Sequence, residues 1–204
     1  MDVITKVSRE RFSEGITIEE FIQGMGTKGE SFIEAYRGFA ITEKDTETLR
    51  GWVTPLRVLV LAEDWCGDVL RYVPILWKMS DAAGKWEVRV FYRDHNPDLA
   101  ELWLKEGKYR AIPVIVFFDN QMNELACYIE KPAPAYMADE MTSQAFIQEH
   151  PEMQDAYLPS EEMSDETRRL YHSFARAYRL MLREQWKQMF VDEILSKLRD
   201  ALAK

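Results

Sequence analysis

The apolar residues of this chain follow two periods, and the period changes several times along its length. Thr17 to Met25 and Glu30 to Phe39 carry apolar positions three and four residues apart, the spacing that gathers them on one face of a helix. Gly24, Gly26 and Gly29 break that spacing, so the two segments read as separate helices. Thr42 to Trp52 can cap and run as a third short helix. Leu56 to Leu61 is an unbroken aliphatic run behind Pro55, the mark of a buried strand. From Val69 to Met79 the helical spacing returns, which starts a helix near Gly67. Trp86 to Tyr92 alternates as a strand, Pro97 to Glu106 reads as a helix ended by Gly107, and Val114 to Phe118 is a second buried run. A hairpin at Asp119–Asn123 joins that run to a strand at Glu124–Ile129. The unit is β-α-β-α-β-β.

Beyond Pro132 and Pro134 the pattern predicts a short helix between Asp139 and His150, then a proline-bounded loop to Ser160. Ser164 is an N-cap with Asp165 and Glu166 in the first turn, and neither glycine nor proline intervenes before Ala203. A helix of that span is on the order of 55 to 60 Å long. Leu170, Phe174, Ala177, Met181, Trp186, Met189, Ile194, Leu198 and Ala201 give it an apolar stripe. Either the N-terminal helices bury this stripe or a second subunit does, as a homodimer through the C-terminal helix. The expected organisation is a helical extension over 1–51 packed on the core, a core over 52–135, and a C-terminal helical extension over 136–204.

Composition narrows the class. With 204 residues, 47% of them hydrophobic, the chain can bury one sizeable core with peripheral elements. A net charge of −9 and the lack of a basic arm argue against nucleic acid and against an anionic membrane surface as partners. Residues Met1 to Lys6 show no apolar leader, and no run is long enough to span a bilayer. Two cysteines without a disulfide framework fit a soluble, cytoplasmic protein.

The chemistry concentrates at Trp65-Cys66-Gly67-Asp68-Val69. The turn follows a buried strand and opens a helix, so Cys66 falls at a helix N-terminus, where unsatisfied N–H groups and the dipole favour a thiolate. The thiolate is the nucleophile. Cys66 is the candidate catalytic residue.

These residues carry a resemblance to the thioredoxin superfamily, in four registered places. Trp65-Cys66-Gly67 stands after a buried strand. Pro74 stands eight residues beyond Cys66, where thioredoxins kink the active-site helix. Ile112-Pro113 precedes a core strand as the family's cis-proline does, and the hairpin follows. The chain is most similar to a subgroup with a Trp-Cys-Gly-Asp turn, a Val88-to-Asp94-type strand end and a Leu99-to-Trp103-type helix. The resemblance implies a thioredoxin-like α/β fold: a central mixed sheet flanked by helices. It also implies substrate contacts at Trp65, Gly67, Asp68, Ile112 and Pro113. Members of the subgroup carry a second cysteine where this chain has Val69, and thioredoxins keep a buried carboxylate where it has Val60. Without a resolving thiol, a dithiol mechanism is closed.

Other candidates read as structural. Cys127 is expected to be a small buried hydrophobe out of disulfide reach of Cys66. Asp68 opposes the thiolate by its charge and otherwise caps the helix or is solvated, with substrate selection as the alternative. Glu63 and Asp64 are expected to be solvated acids. Arg93-Asp94-His95-Asn96 ends a strand on the side where such sheets bind ligands, with His95 expected as a structural loop residue and approach to a substrate as its alternative. His150 and His172 lack metal-ligand spacing with a cysteine, so no metal site and no resident cofactor are expected. Two functions compete. One is single-thiol exchange on a protein or small-molecule disulfide, with an external thiol such as glutathione as co-substrate. The other is a redox-inert scaffold that holds a partner in the cis-proline groove or along the C-terminal helix.

Overall fold

Two strands form the centre of the sheet. In the computed structural model, β1 (Leu56–Ala62) and β3 (Val114–Phe118) are buried at every position. Unbroken apolar runs of this kind need cover on both faces. β2 (Trp86–Tyr92) and β4 (Glu124–Ile129) lie outside them in the order β2-β1-β3-β4. β1 runs parallel to β2 and antiparallel to β3, and β3 runs antiparallel to β4. Val60 therefore sits between Val90 and Ile115 and is fully buried among apolar neighbours.

The structure describes residues 6–203, with the backbone but not the side chains of 178–181 and 183. Met181 of the expected stripe and the segment Met1–Thr5 lie outside the described residues.

A parallel pair needs a crossover. Here it is α5 (Gly67–Ala83), ended by Gly84 at φ 68°, the left-handed cap that glycine adopts without strain. Among the described residues four helices precede the sheet: α1 (Arg9–Ser13), α2 (Ile18–Gly24), α3 (Lys28–Arg37) and α4 (Glu43–Gly51). Thr17 and Glu20 close a capping box on α2, and Thr42 caps α4. Their buried residues Phe12, Phe21, Phe32 and Leu49 belong to the same core cluster as the strands.

α1 is an addition to the sequence reading. Its five residues carry one buried side chain, Phe12, too little for periodicity to register. Behind it, Ile16 pairs with Val90 through hydrogen bonds of 3.0 and 2.8 Å and covers the outer edge of β2. A Cβ on Gly15 would lie 2.6 Å from the Phe91 ring, so this close approach requires glycine.

Three expectations need correction. The helix predicted over Pro97–Glu106 is only α6 (Pro97–Ala100). Past it Trp103 is buried and donates to Glu124, Lys105 bridges to Tyr109, and Glu106 and Gly107 both take left-handed φ. The helix placed at Asp139–His150 is α7 (Ala133–Glu149). Pro134 falls in its first turn, where proline costs no intrahelical hydrogen bond. In α8 (Asp165–Leu202), Ala175 is buried where the stripe named Ala177, which is exposed.

The described residues up to Glu130, with those from Phe190 onward, form one compact unit, and 131–189 form another. In the first, Phe190 stacks on Tyr72 at 5.2 Å and meets Tyr128 edge-on at 5.0 Å. In the second, Trp186 packs with Ala135 and Ala138.

Candidate functional site

β1 delivers the chain to the candidate site. After Ala62 it turns through Glu63–Trp65, with the Cys66 N–H donating to the Glu63 carbonyl at 3.3 Å. Cys66 is the N-cap of α5, and Gly67 is its first residue. Pro74, inside the helix, can donate no hydrogen bond to the carbonyl one turn earlier.

Ile112 and Pro113 face this cap. The peptide between them is cis, both residues are buried, and the Cys66 thiol donates to the Ile112 carbonyl at 3.6 Å. The Pro113 carbonyl accepts the Glu130 N–H at 2.7 Å. Glu130, at φ 69°, follows β4 and pairs with Lys105 at 2.8 Å. Asp68, in the first turn of α5, pairs with Arg71 at 2.5 Å. Trp65 is 55% exposed, with the Arg93 guanidinium 5.2 Å above its ring. Arg93 is held in turn by Asp94 at 2.7 Å and by the Arg110 carbonyl at 2.9 Å.

The structure thus brings Trp65, Cys66, Gly67, Asp68, Ile112 and Pro113 to one end of the sheet. Arg93, at the strand end that the sequence places on the ligand-binding side of such sheets, lies beside them, and Glu130, Lys105 and Arg71 join them without having been read from the sequence. Only Arg71 left a signal, its i,i+3 spacing from Asp68.

The thiol itself corrects an expectation. The Cys66 pKa is raised, first by burial, with the Asp68 and Glu130 charges acting in the same direction; the Val69 and Asp68 amides offset part of this. A helix N-terminus favours the thiolate, but at Cys66 that effect is smaller than the cost of taking the charge out of water. In the thiol form the sulfur makes no capping bond to α5 and turns instead to Ile112.

Glu63 is a second correction. It is 7% exposed and accepts the Asp94 N–H at 2.8 Å, tying the end of β1 to the 3-10 turn Arg93–His95. Asp64 stays at the surface, 3.8 Å from Lys28. His95 is exposed, its ring 5.9 Å from Tyr92. Cys127 lies in β4, opposite Val116, as a free thiol pushed up to about 12 by burial and then by the Glu124 charge. Among the described residues no three His, Cys, Asp or Glu side chains cluster as a metal site, and no helix is long and apolar enough to cross a membrane.

A family model described as Thioredoxin matches residues 15–146. The chain belongs to the thioredoxin family. The match takes in the strand, turn and helix around Cys66, the cis-proline loop and the hairpin, so the mixed sheet flanked by helices is the thioredoxin-like fold. No curated protein matches the chain. Among solved structures, an HIV epitope scaffold is 16% identical with a TM-score of 0.63, over 96% of this chain and 99% of that one. A protein of unknown function from Pseudomonas aeruginosa is 17% identical with a TM-score of 0.60, over the same shares. Both likenesses concern the fold alone.

A thioredoxin-like site with this geometry offers one half-buried thiol at a helix N-terminus and a buried backbone segment beside it.

Proposed function

We propose that this thioredoxin-family chain is a thiol-disulfide oxidoreductase of single-thiol type, with Cys66 as its nucleophile. The observation that carries the reading is the placement of Cys66 at the head of α5, in reach of the Val69 and Asp68 amides and 3.6 Å from the Ile112 carbonyl before cis-Pro113. Val69, where similar chains carry the second cysteine, is fully buried and has no thiol to attack a mixed disulfide. An external thiol must release the product.

The raised thiol fits slow exchange. At neutral pH the thiolate fraction is small, although each thiolate that forms is a strong nucleophile. The same property makes the Cys66 sulfur a poor leaving group, so a mixed disulfide persists until a thiol arrives. Trp65, Gly67, Asp68, Ile112 and Pro113 are the proposed substrate contacts, on a protein or a small-molecule disulfide.

One observation favours a second reading, a redox-inert scaffold: the Cys66 thiol is satisfied by Ile112 and disfavoured as an anion. Exposure of the Cys127→Ala chain to a disulfide, followed by intact mass, separates the two. Exchange gives an adduct on Cys66 that an added thiol removes, whereas a scaffold gives none.

A further inference from the structure

One guanidinium joins the two loops that flank the thiol. Arg93, just past the end of β2, lies 5.2 Å over the Trp65 ring, within the range of a cation–π contact. Its Nη1 donates to the Arg110 carbonyl at 2.9 Å, on the loop that continues into Ile112 and cis-Pro113. Its Nε donates to Asp94 Oδ1 at 2.8 Å, which fixes the plane of the fork. Behind the fork, the Asp94 N–H donates to Glu63 Oε1 at 2.8 Å, and the Glu63 carbonyl accepts the Cys66 N–H at 3.3 Å. These contacts close a ring: Glu63 holds the Cys66 turn with its backbone and the Arg93 turn with its side chain, and Arg93 returns to Trp65. The Arg93 side chain is only 18% exposed and Glu63 is buried, whereas Trp65 stays mostly open. Trp65 is thus an exposed apolar plane, beside Cys66 in the chain, held in place by the guanidinium on it.

Resting on the single-thiol reading above, we propose that Arg93 is a positioning residue of the Cys66 site, holding Trp65 and the cis-proline loop in place for disulfides carried on a peptide chain. Such a substrate reaches past the sulfur to both loops, and a surface fixed before binding loses less freedom when it binds. A small disulfide meets little beyond the sulfur and gains little from the brace. Arg93 acts through Trp65 and the Arg110 carbonyl, not on the reacting atoms. In the exchange the Cys66 thiolate attacks one sulfur of RSSR; the bond from Cys66 to SR forms, RS–SR breaks, and the departing RS⁻ takes a proton from water. A thiol R′SH, having lost its proton to water, attacks the R sulfur of the mixed disulfide and gives RSSR′ and the Cys66 thiolate. The net reaction is RSSR + R′SH → RSH + RSSR′, and the protein returns unchanged.

The test times alkylation of Cys66 in the Cys127→Ala chain with iodoacetamide and with iodoacetyl-phenylalanyl-alanyl-alanine amide, which carries the same reacting carbon on a short neutral peptide. Each rate is divided by that of 2-mercaptoethanol with the same reagent, which removes intrinsic reactivity, and the ratio of the two quotients is the peptide preference. A preference of about tenfold is expected, falling to about twofold or less in Arg93→Ala. Loss of folded protein lowers both rates together, so a merely structural role does not move the preference. A preference of one with Arg93 intact overturns the proposal, and so does a preference that Arg93→Ala leaves unchanged. The first of these needs no change at Arg93, so misfolding of the variant cannot mask it. Adduct formation with 2-hydroxyethyl disulfide reports exchange by itself. An adduct without peptide preference overturns the positioning role and leaves single-thiol exchange standing. Alkylation without any disulfide adduct overturns the single-thiol reading and the positioning role with it.

Discussion

The Cys66 thiol donates to the carbonyl oxygen of Ile112 across 3.6 Å, linking the head of α5 to the residue before cis-Pro113. Ionisation removes this donor and turns Ile112 from a partner into a dipole facing an anion. The Val69 and Asp68 amides then support the sulfur, while burial and the charges of Asp68 and Glu130 oppose it. The balance predicts an alkylation profile for Cys66 with iodoacetamide that still rises above the ordinary thiol midpoint of about 8.5. Asp68→Asn and Glu130→Gln should each move the profile to lower pH. A profile already flat below about pH 8 would contradict the account.

Restoring a second thiol should change the kinetics. In Val69→Cys the new sulfur lies in the first turn of α5, three residues from Cys66 and at a buried position. Oxidation is expected to join the two, seen as the mass loss of a disulfide. Resolution then becomes intramolecular and turnover with dithiothreitol rises roughly tenfold or more. Unchanged turnover with both thiols intact would show that resolution does not limit the natural site.

Phe190 ties the end of α8 to the core by stacking on Tyr72 and meeting Tyr128 edge-on, and it is fully buried. Phe190→Ala should cost about 3–5 kcal/mol, a transfer loss plus a cavity, measured by urea unfolding followed at the sheet unit. A cost under about 1 kcal/mol would mean that the site refills.

Asp155 accepts from the Ser164 N–H at 2.6 Å and from the Thr167 hydroxyl at 2.5 Å at the start of α8. The Thr167 hydroxyl, then the Ser164 amide, lower its pKa to about 2. A carboxyl depressed in the folded state stabilises above its unfolded pKa and loses that contribution as pH falls through the folded value. Asp155→Asn should therefore lower the thermal midpoint at neutral pH, with the gap to the natural chain closing between 3.8 and about 2. A gap that persists below that window would assign the loss to packing.

The strands were legible because their apolar runs end where their pairing ends: β2, β3 and β4 occupy the residues their patterns predict. α1 and the Ile16–Val90 bridge were not, since one buried phenylalanine and one glycine make no periodicity. The sequence pattern starts the helix at Asp139, whereas α7 begins at Ala133 because a first-turn proline is tolerated. At the site, Trp65 to Asp68 and Ile112-Pro113 were legible as local motifs. Glu130 and Lys105 are brought together by β4 and by the turn at Lys105–Tyr109, across distances in sequence that carry no spacing signal. The direction of the Cys66 shift depends on how deeply the sulfur is buried, which no motif records.

The most direct measurement is intact mass of the Cys127→Ala chain after incubation with 2-hydroxyethyl disulfide at about pH 8, and again after adding excess thiol. Single-thiol exchange predicts one adduct on Cys66, absent from the Cys66→Ser, Cys127→Ala chain, persistent without thiol and removed by it. A folded protein that stays free of adduct would contradict the account and leave the thioredoxin fold serving a binding role.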